Sequence, residues 1–488
     1  MLRTEPKQYS FHSELYNKIP EKHILRKVLM AVDFSFINSL LENSYCKNFG
    51  RPAKEPEMMC KILFLQYIYN LSDDIIMGEA SLNLAYLYFL GLNPEDKLPE
   101  KSLLSKFRTQ RLGESTLDEI IIEIVRQCVV KGIIKGNSVS IDATHIEANT
   151  IKKTPERIMK HLGRAIIHTY EKETGTDLEG LPEVPDYKEI SDHKEAKAVM
   201  KGYLETVLDK VETKVSTKEV HTAAIILSAR NILADPKFMN QKGVRSLVDG
   251  EARVGRKSKT QDFFGYKTEF VMTTDERIIT SVRTSNGAYI DGSHAKDLFD
   301  ETKKSGVKIQ EVYGDKAYFR KSILDQIEEV KAKAYIPVSA TVYRLDESEY
   351  SYNKDSDEWQ CSQGNTTVEK KYYKSNRKDG VREGYKYYFE LKQCKACPLQ
   401  EACTQNRARR ILVVGMNTTQ FYELSQQQKT EEFKEKYKKR ASIEGKNAEL
   451  KRFHGLSRAR GYGLLSVSKQ SKLTAIAVNL KRIAALMS

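Results

Sequence analysis

Three acidic residues and a run of cysteines carry the chemistry that this sequence could perform. Asp142 closes the segment Asn137-Ser138-Val139-Ser140-Ile141-Asp142, whose alternation predicts a strand ending on a carboxylate. Asp315 closes a second apolar strand, predicted over Lys308–Tyr313 and followed by Gly314-Asp315. In mixed α/β folds, strand ends are where side chains converge into a site. Two carboxylates brought together repel and stay ionised only around a cation, and hard divalent ions such as Mg2+ take oxygen ligands of this kind. Taken singly, each Asp reads first as an ordinary turn residue.

The third acid lies in a charged helix predicted over residues 430–453. Tyr437, Arg440, Glu444 and Lys451 follow one another at offsets of 3, 4 and 7, which puts all four on one helix face. A core-facing stripe should be apolar, and this one is polar. From Glu431 to Ser488 the chain has 14 Lys/Arg against five Glu, a net of +9. A Glu among so many cations suits a metal held beside a phosphate. The alternative is a solvated helix face. The cysteines are seven, an odd number that fits a reducing compartment better than a disulfide framework. Cys60 and Cys128 fall in apolar helical patterns and read as core. Cys394-x2-Cys397-x5-Cys403 has spacing that suits tetrahedral zinc, with Cys361 the weakest fourth ligand, and free thiols are the alternative.

The elements that must position these groups follow from the hydrophobic pattern. Residues 1–134 read as a helical N-terminal domain for DNA binding or dimerisation. It includes an amphipathic helix over Pro56–Asn70 and another over Asp73–Leu90 that Ser72 caps. The basic helix of Ser102–Gly113 offers Arg108 and Arg111 to DNA, or else a solvated face. After residue 142, residues 150–245 return to helical, highly charged sequence, and residues 333–425 are strand-like, rich in Tyr and in charge, and hold the four late cysteines. Strands are predicted at Phe263–Thr273 and Ile278–Thr284, helices at Ala295–Lys304 and 469–486. Lys267, after a strand start, and Lys316, beside Asp315, could each touch phosphate. Trp359 could stack on a base or pack in a strand. His145 and His294 fall near the predicted site and are not counted as ligands.

Composition fits that reading. The 488 residues are 40% hydrophobic and 30% charged, with a net charge of +14 and pI near 9.1, so the chain can bury a core and favours a polyanionic partner, nucleic acid first. No apolar run approaches a membrane span, and the opening MLRTEPKQYS lacks the apolar stretch of a secretory signal.

These residues resemble the DDE transposases of bacterial insertion sequences, and most closely the IS1182 group of the IS4/IS5-like set. Tyr437, Arg440, Glu444 and Lys451 match the set's Tyr-x2-Arg-x3-Glu-x6-Lys signature without a gap; Asp142 and Asp315 match its first and second acids. Asp249-Gly250-Glu251-Ala252-Arg253, Lys257-Ser258-Lys259, Gly265-Tyr266-Lys267 and Gly50-Arg51-Pro52 are also similar to the family. Ala143 departs from the Gly or Ser of many relatives. The resemblance implies an RNase H-like core in a catalytic α/β domain over residues 135–488, with a helical insertion at about 150–255, a β-rich, Cys-containing insertion at about 335–428, and Asp142, Asp315 and Glu444 holding two Mg2+ ions. It implies double-stranded DNA as substrate, in the form of inverted-repeat ends and a target. It also implies a homodimer on DNA and a cytoplasmic, nucleoid-associated protein with no membrane role. Tyr437, Arg440 and Lys451 would hold phosphates. Two rival readings are a DNA-binding regulator without catalysis and a structure-specific nuclease on the same core.

Overall fold

A computed structural model describes residues 8–46, 52–236, 238, 244–258, 260–377, 380–404 and 408–487. Gly50, Arg51 and Lys259, parts of the family-like segments, lie outside the described residues.

Six strands form the central sheet: β1 (Ser138–Glu147), β2 (Arg253–Arg256), β3 (Asp262–Thr273), β4 (Ile279–Asn286), β5 (Glu311–Tyr313) and β6 (Lys333–Tyr335). The order is β2-β3-β1-β5-β6, with β4 also paired to β3. β1 is antiparallel to β3 and parallel to β5, and β5 is parallel to β6. β3 is buried along almost its whole length, and Lys267, Thr268 and Glu269 separate its two apolar runs, Phe263–Tyr266 and Phe270–Met272.

The first strand corrects the reading of its end. β1 does not stop at Asp142 but runs on to Glu147, because pairing with β3 continues from Asp142↔Phe270 to Glu147↔Gly265. Its parallel partner is shorter: β5 pairs only as far as Ser140↔Tyr313. Asp142 is therefore mid-strand, yet it lies where the β5 side of the sheet opens. The register carries Asp315, two residues past Tyr313, to the level of Asp142, two residues past Ser140.

The terminal helix Leu464–Leu486 runs through the middle of the molecule and is buried from Val467 to Leu480. Ser471 bonds Thr268 of β3 at 2.8 Å, and Asn479 brackets the backbone of Ile279 on β4, accepting from its N–H at 2.8 Å and donating to its carbonyl at 2.7 Å. On the other side this helix packs on N-terminal helices Ile24–Ala31, Pro56–Ile68 and Glu114–Val130. One hydrophobic cluster consequently runs from Leu25 through Phe64, Ile141 and Val271 to Ile483, and the helices before residue 134 share it with the sheet. The Pro56–Ile68 helix is buried on all sides rather than amphipathic, since it is enclosed by Phe34, Phe89 and the terminal helix. The predicted Asp73–Leu90 helix is two, Asp73–Leu82 and Leu84–Leu90; Asn83 ends the first and accepts from the N–H groups of Ala85 and Tyr86 to cap the second.

Two satellite units sit on this frame. Helices Pro155–Thr174, His193–Glu212 and Val220–Ala234 enclose a core of their own around Ile158, Met200 and Leu204. Residues 350–415 hold a β7 (Tyr350–Asn353)–β8 (Glu358–Cys361) hairpin and a sheet of β9 (Thr367–Arg377), β10 (Gly380–Phe389) and β11 (Ile411–Gly415) in the order β11-β10-β9. Trp359 is fully buried at the centre of this unit against Tyr352 and Tyr422, so it packs and offers no face to a base. Among the described residues no helix is long and apolar enough to cross a membrane.

Candidate active site

The site is built around Asp142. Its Oδ1 accepts the Ala143 N–H at 2.9 Å and its Oδ2 accepts the Asn447 side-chain N–H at 2.8 Å. Burial raises its pKa, as does the Asp315 carboxylate. The Ala143 N–H and Arg440 act the other way, Asp291 adds to the rise, and the outcome is about 7. Asp315 caps the short turn Lys316–Tyr318 by accepting the Ala317 N–H at 2.8 Å, which fixes its carboxylate at the end of β5.

The helix carrying the signature is not continuous. Glu431–Tyr437 and Ala441–Arg452 are separated by a 3-10 turn at Lys438–Arg440. The break lets the first piece pack on β6, with Phe433 against Tyr335, while the second docks on β1. Tyr437 stacks on Phe433 at 5.7 Å and is half-buried beside Arg440. Arg440 reaches both acids it separates: 2.9 Å to Glu444 and 4.0 Å to Asp142. Its Nε is buried without an acceptor among the described residues.

Glu444 stands apart from the other two acids. Its side chain is 66% exposed and is held by Arg440, whereas that of Asp142 is 14% exposed. Among the described residues no three His, Cys, Asp or Glu side chains close into a preformed metal cage. The fold thus brings Asp142 and Asp315 together and leaves Glu444 one arginine away.

A cationic patch adjoins the acids. Lys451 Nζ lies 3.1 Å from His145 Nδ1. Burial and then Lys257 push the Lys451 amine down to about 8, with Glu147 and Asp142 opposing. Burial, Lys451, Lys257 and Lys267 push His145 down to about 4, so the ring is neutral and can accept a hydrogen bond from the lysine. Lys267, paired with His145 across β1 and β3, is bound to Asp291 at 2.9 Å.

Three residues of this site escaped sequence reading. Asn447 lies seven residues after Arg440 and four before Lys451, on the same stripe, and that spacing was the available signal. Asp291 follows β4 in a loop that carries no pattern. Glu269, opposite Ala143, is a buried carboxylate that accepts from Tyr289 and Tyr318 hydroxyls at 2.8 and 2.9 Å and from the Gly292 N–H at 2.6 Å. It ties the Asp291 loop and the Asp315 turn to β3.

Other predicted residues serve the frame. Arg108 donates to both oxygens of Asp73 at 2.7 and 2.9 Å, and Arg111 donates to the Ser44 carbonyl and lies over Tyr45. Their helix ends as a π-turn, Phe107–Arg111, after Lys101–Lys106. Asp249 accepts the Tyr266 hydroxyl, and Glu251 accepts the Leu464 N–H at 2.7 Å at the start of the terminal helix. Lys316 is exposed, and His294 bonds Ser285 and stacks on Tyr289. Cys361, Cys394, Cys397 and Cys403 line one cavity of about 270 Å³ together with Arg410. Burial raises the Cys403 thiol, Arg410 lowers it, and the other three cysteines raise it.

Two family models match the chain. Residues 13–110 match a transposase domain (DUF772), and residues 360–484 match a transposase DDE domain. No curated protein and no solved structure matches it. The second match contains Glu444 and the whole Tyr437–Lys451 signature; Asp142 and Asp315 fall outside both. Both stretches are thus similar to transposase domains, the second of the DDE type.

Proposed function

We propose that this chain binds the inverted-repeat ends of an insertion sequence of the IS1182 group and catalyses Mg2+-dependent cleavage and strand transfer on double-stranded DNA. The observation that carries the reading is the register of β1 and β5, which sets Asp142 level with Asp315 beneath the helix bearing Glu444. An antiparallel hairpin joined to two parallel strands, with the acids on adjacent strands, supports an RNase H-like core.

The donor set suits a hard divalent cation. Burial and Asp315 lift Asp142 to about 7, and a cation between the carboxylates would relieve that repulsion. Asp142 and Asp315 would hold Mg2+, and Glu444 would complete the set after Arg440 releases it to bind a phosphate. Two such ions lower the pKa of an attacking water or 3′-hydroxyl and stabilise the leaving oxygen. The chain's own part is positional. Asn447 and the Ala143 N–H orient the two Asp142 oxygens. Arg440, whose Nε lacks an acceptor, suits bidentate phosphate binding, while Lys451 supplies a point charge steadied by neutral His145. Tyr437 and Lys267 flank the same opening.

The helices of residues 1–134 would bind element ends or pair two copies, since joining two ends calls for a dimer on DNA. The protein would act in the cytoplasm at the nucleoid. The four cysteines around one cavity would take a structural Zn2+, drawing together on binding.

The test is Asp142→Ala, Asp315→Ala and Glu444→Ala, assayed for cutting and joining of element-end duplexes with Mg2+. Each is expected to abolish both steps. Full activity in any variant removes that residue from the metal set, and cutting without joining by the parent chain would make it a nuclease.

A further inference from the structure

The last residue of the signature helix and the segment after it, residues 452–463, have two aspects. Its backbone is pinned on both sides. The Glu147 N–H donates to the Ser457 carbonyl at 3.0 Å, and the Ala459 N–H donates to the Glu147 carbonyl at 2.8 Å, so the segment is stitched to the end of β1. Buried His454 bonds the Tyr67 carbonyl at 2.8 Å, and Arg460 lies 4.4 Å over the Tyr67 ring, which ties the same segment to the N-terminal helices. Its outer side chains do the opposite. Arg452 and Arg458 are exposed and have no carboxylate partner among the described residues. Phe453 and Tyr462 are 65% and 52% exposed. The sequence has no Asp or Glu after Glu449, so nothing in the terminal segment neutralises these arginines.

A rigid support, unpaired guanidinium groups and exposed aromatic rings are the makings of a nucleic-acid contact. Its distance from the acids is set by β1. Five residues separate Asp142 from Glu147, which at about 3.3 Å each is about 17 Å. A DNA strand rises about 3.4 Å per nucleotide, so that span corresponds to about five nucleotides.

We propose that Arg452, Phe453, Arg458 and Tyr462 form a second DNA contact that grips the phosphate backbone about five nucleotides from the phosphate at Asp142. This rests on the transposase reading and adds a ruler to it: β1 holds the cutting site at its middle and the grip at its far end. Arg452 and Arg458 bind phosphates, and the rings pack on the sugar and base edges beside them.

The test uses the full chain and a fluorescein-labelled, mixed-sequence duplex of about 30 base pairs, with Ca2+ replacing Mg2+. Affinity is measured across about 50–200 mM KCl, where each lost phosphate contact flattens the log–log salt slope by about 0.9. The double variant Arg452→Ala/Arg458→Ala is expected to flatten the slope by about 2, with an unchanged melting temperature. An unchanged slope in a folded variant overturns the grip and leaves the transposase reading standing; a parent chain that binds no duplex overturns both. On an element-end duplex, a neutral methylphosphonate linkage moved along the strand should weaken the parent about five nucleotides from the cut and leave the double variant unaffected. A parent response confined to the cut site itself overturns the spacing.

Discussion

Asn447 donates its side-chain N–H to Asp142 Oδ2 at 2.8 Å, joining the signature helix to the first strand across 305 residues of sequence. The bond holds one oxygen of Asp142 while the Ala143 N–H holds the other. Partners that orient ligating carboxylates typically govern metal affinity or activity about 10–100-fold. Asn447→Ala is therefore expected to slow Mg2+-dependent cleavage by about that factor with little change in thermal stability. Asn447→Asp should lose more, because it sets another carboxylate against Asp142. Single-turnover cleavage at several Mg2+ concentrations measures both, and a wild-type rate for Asn447→Ala would make the bond incidental.

The raised pKa of Asp142 has a stability consequence. In the unfolded chain the group titrates near 3.8 and in the native protein near 7, so between those values the native state binds more protons. Its ionisation thus costs nothing below about pH 4, costs progressively more as pH rises to about 7, and reaches a plateau above. Asp142→Asn abolishes the cost, so the variant should melt at a higher temperature than the parent at pH 8 in EDTA and show no such advantage at low pH. Added Mg2+ should raise the melting temperature of the parent, through binding to the native state, and move the variant less. Differential scanning fluorimetry reads both.

Lys451 titrates near 8, because burial and Lys257 disfavour its charge. It is cationic below that pH and neutral above it. Duplex binding in Ca2+ should weaken between pH 7 and 9, and Lys451→Arg, which stays charged, should remove the Lys451 share of that decline. Equal pH dependence in the parent and Lys451→Arg would separate the residue from phosphate binding.

If Cys361, Cys394, Cys397 and Cys403 hold zinc, the protein purified under reducing conditions should contain about one zinc per chain by elemental analysis. Chelation, or Cys394→Ser, should lower the stability of the residue 350–415 unit. Protein purified with no bound metal would leave these residues as free thiols around a cavity.

The shared core is open to a direct check. Ile476 is fully buried in the terminal helix between the N-terminal helices and the sheet. Ile476→Ala should cost about 2–5 kcal/mol. Both regions should lose stability together, which hydrogen exchange resolves by segment. Destabilisation confined to the N-terminal helices would mean that the two pack together without cooperating.

Much of this molecule was legible from spacing. The helix Ala295–Lys304 falls where its pattern placed it, and β3 and β4 start and end within two residues of the predicted strands. These are local signals of period and capping. The end of β1 is not legible in the sequence because a strand's length is set by its partner: β3 continues past Asp142 and β5 does not. The composition of Glu431–Arg452 favours helix throughout, whereas its 3-10 joint comes from docking on two different strands. Glu269 carries no local signal, because its three donors come from segments up to 49 residues away.

The sequence alone determined the kinds of chemistry within reach: carboxylates that suit a hard cation, a stripe of phosphate-binding side chains, and a basic end. Only the tertiary structure decided which of these meet. Strand register across 173 residues sets Asp142 beside Asp315, and helix docking brings Asn447 to the first acid while Arg440 keeps Glu444 from it. The same docking leaves Arg452 exposed at the end of the signature helix and Arg458 exposed beside Glu147 at the far end of β1. Residue types fix charge and hydrogen-bonding capacity, but Coulombic repulsion and metal affinity depend on separations of a few ångströms. Those separations come from pairing between segments far apart in the chain.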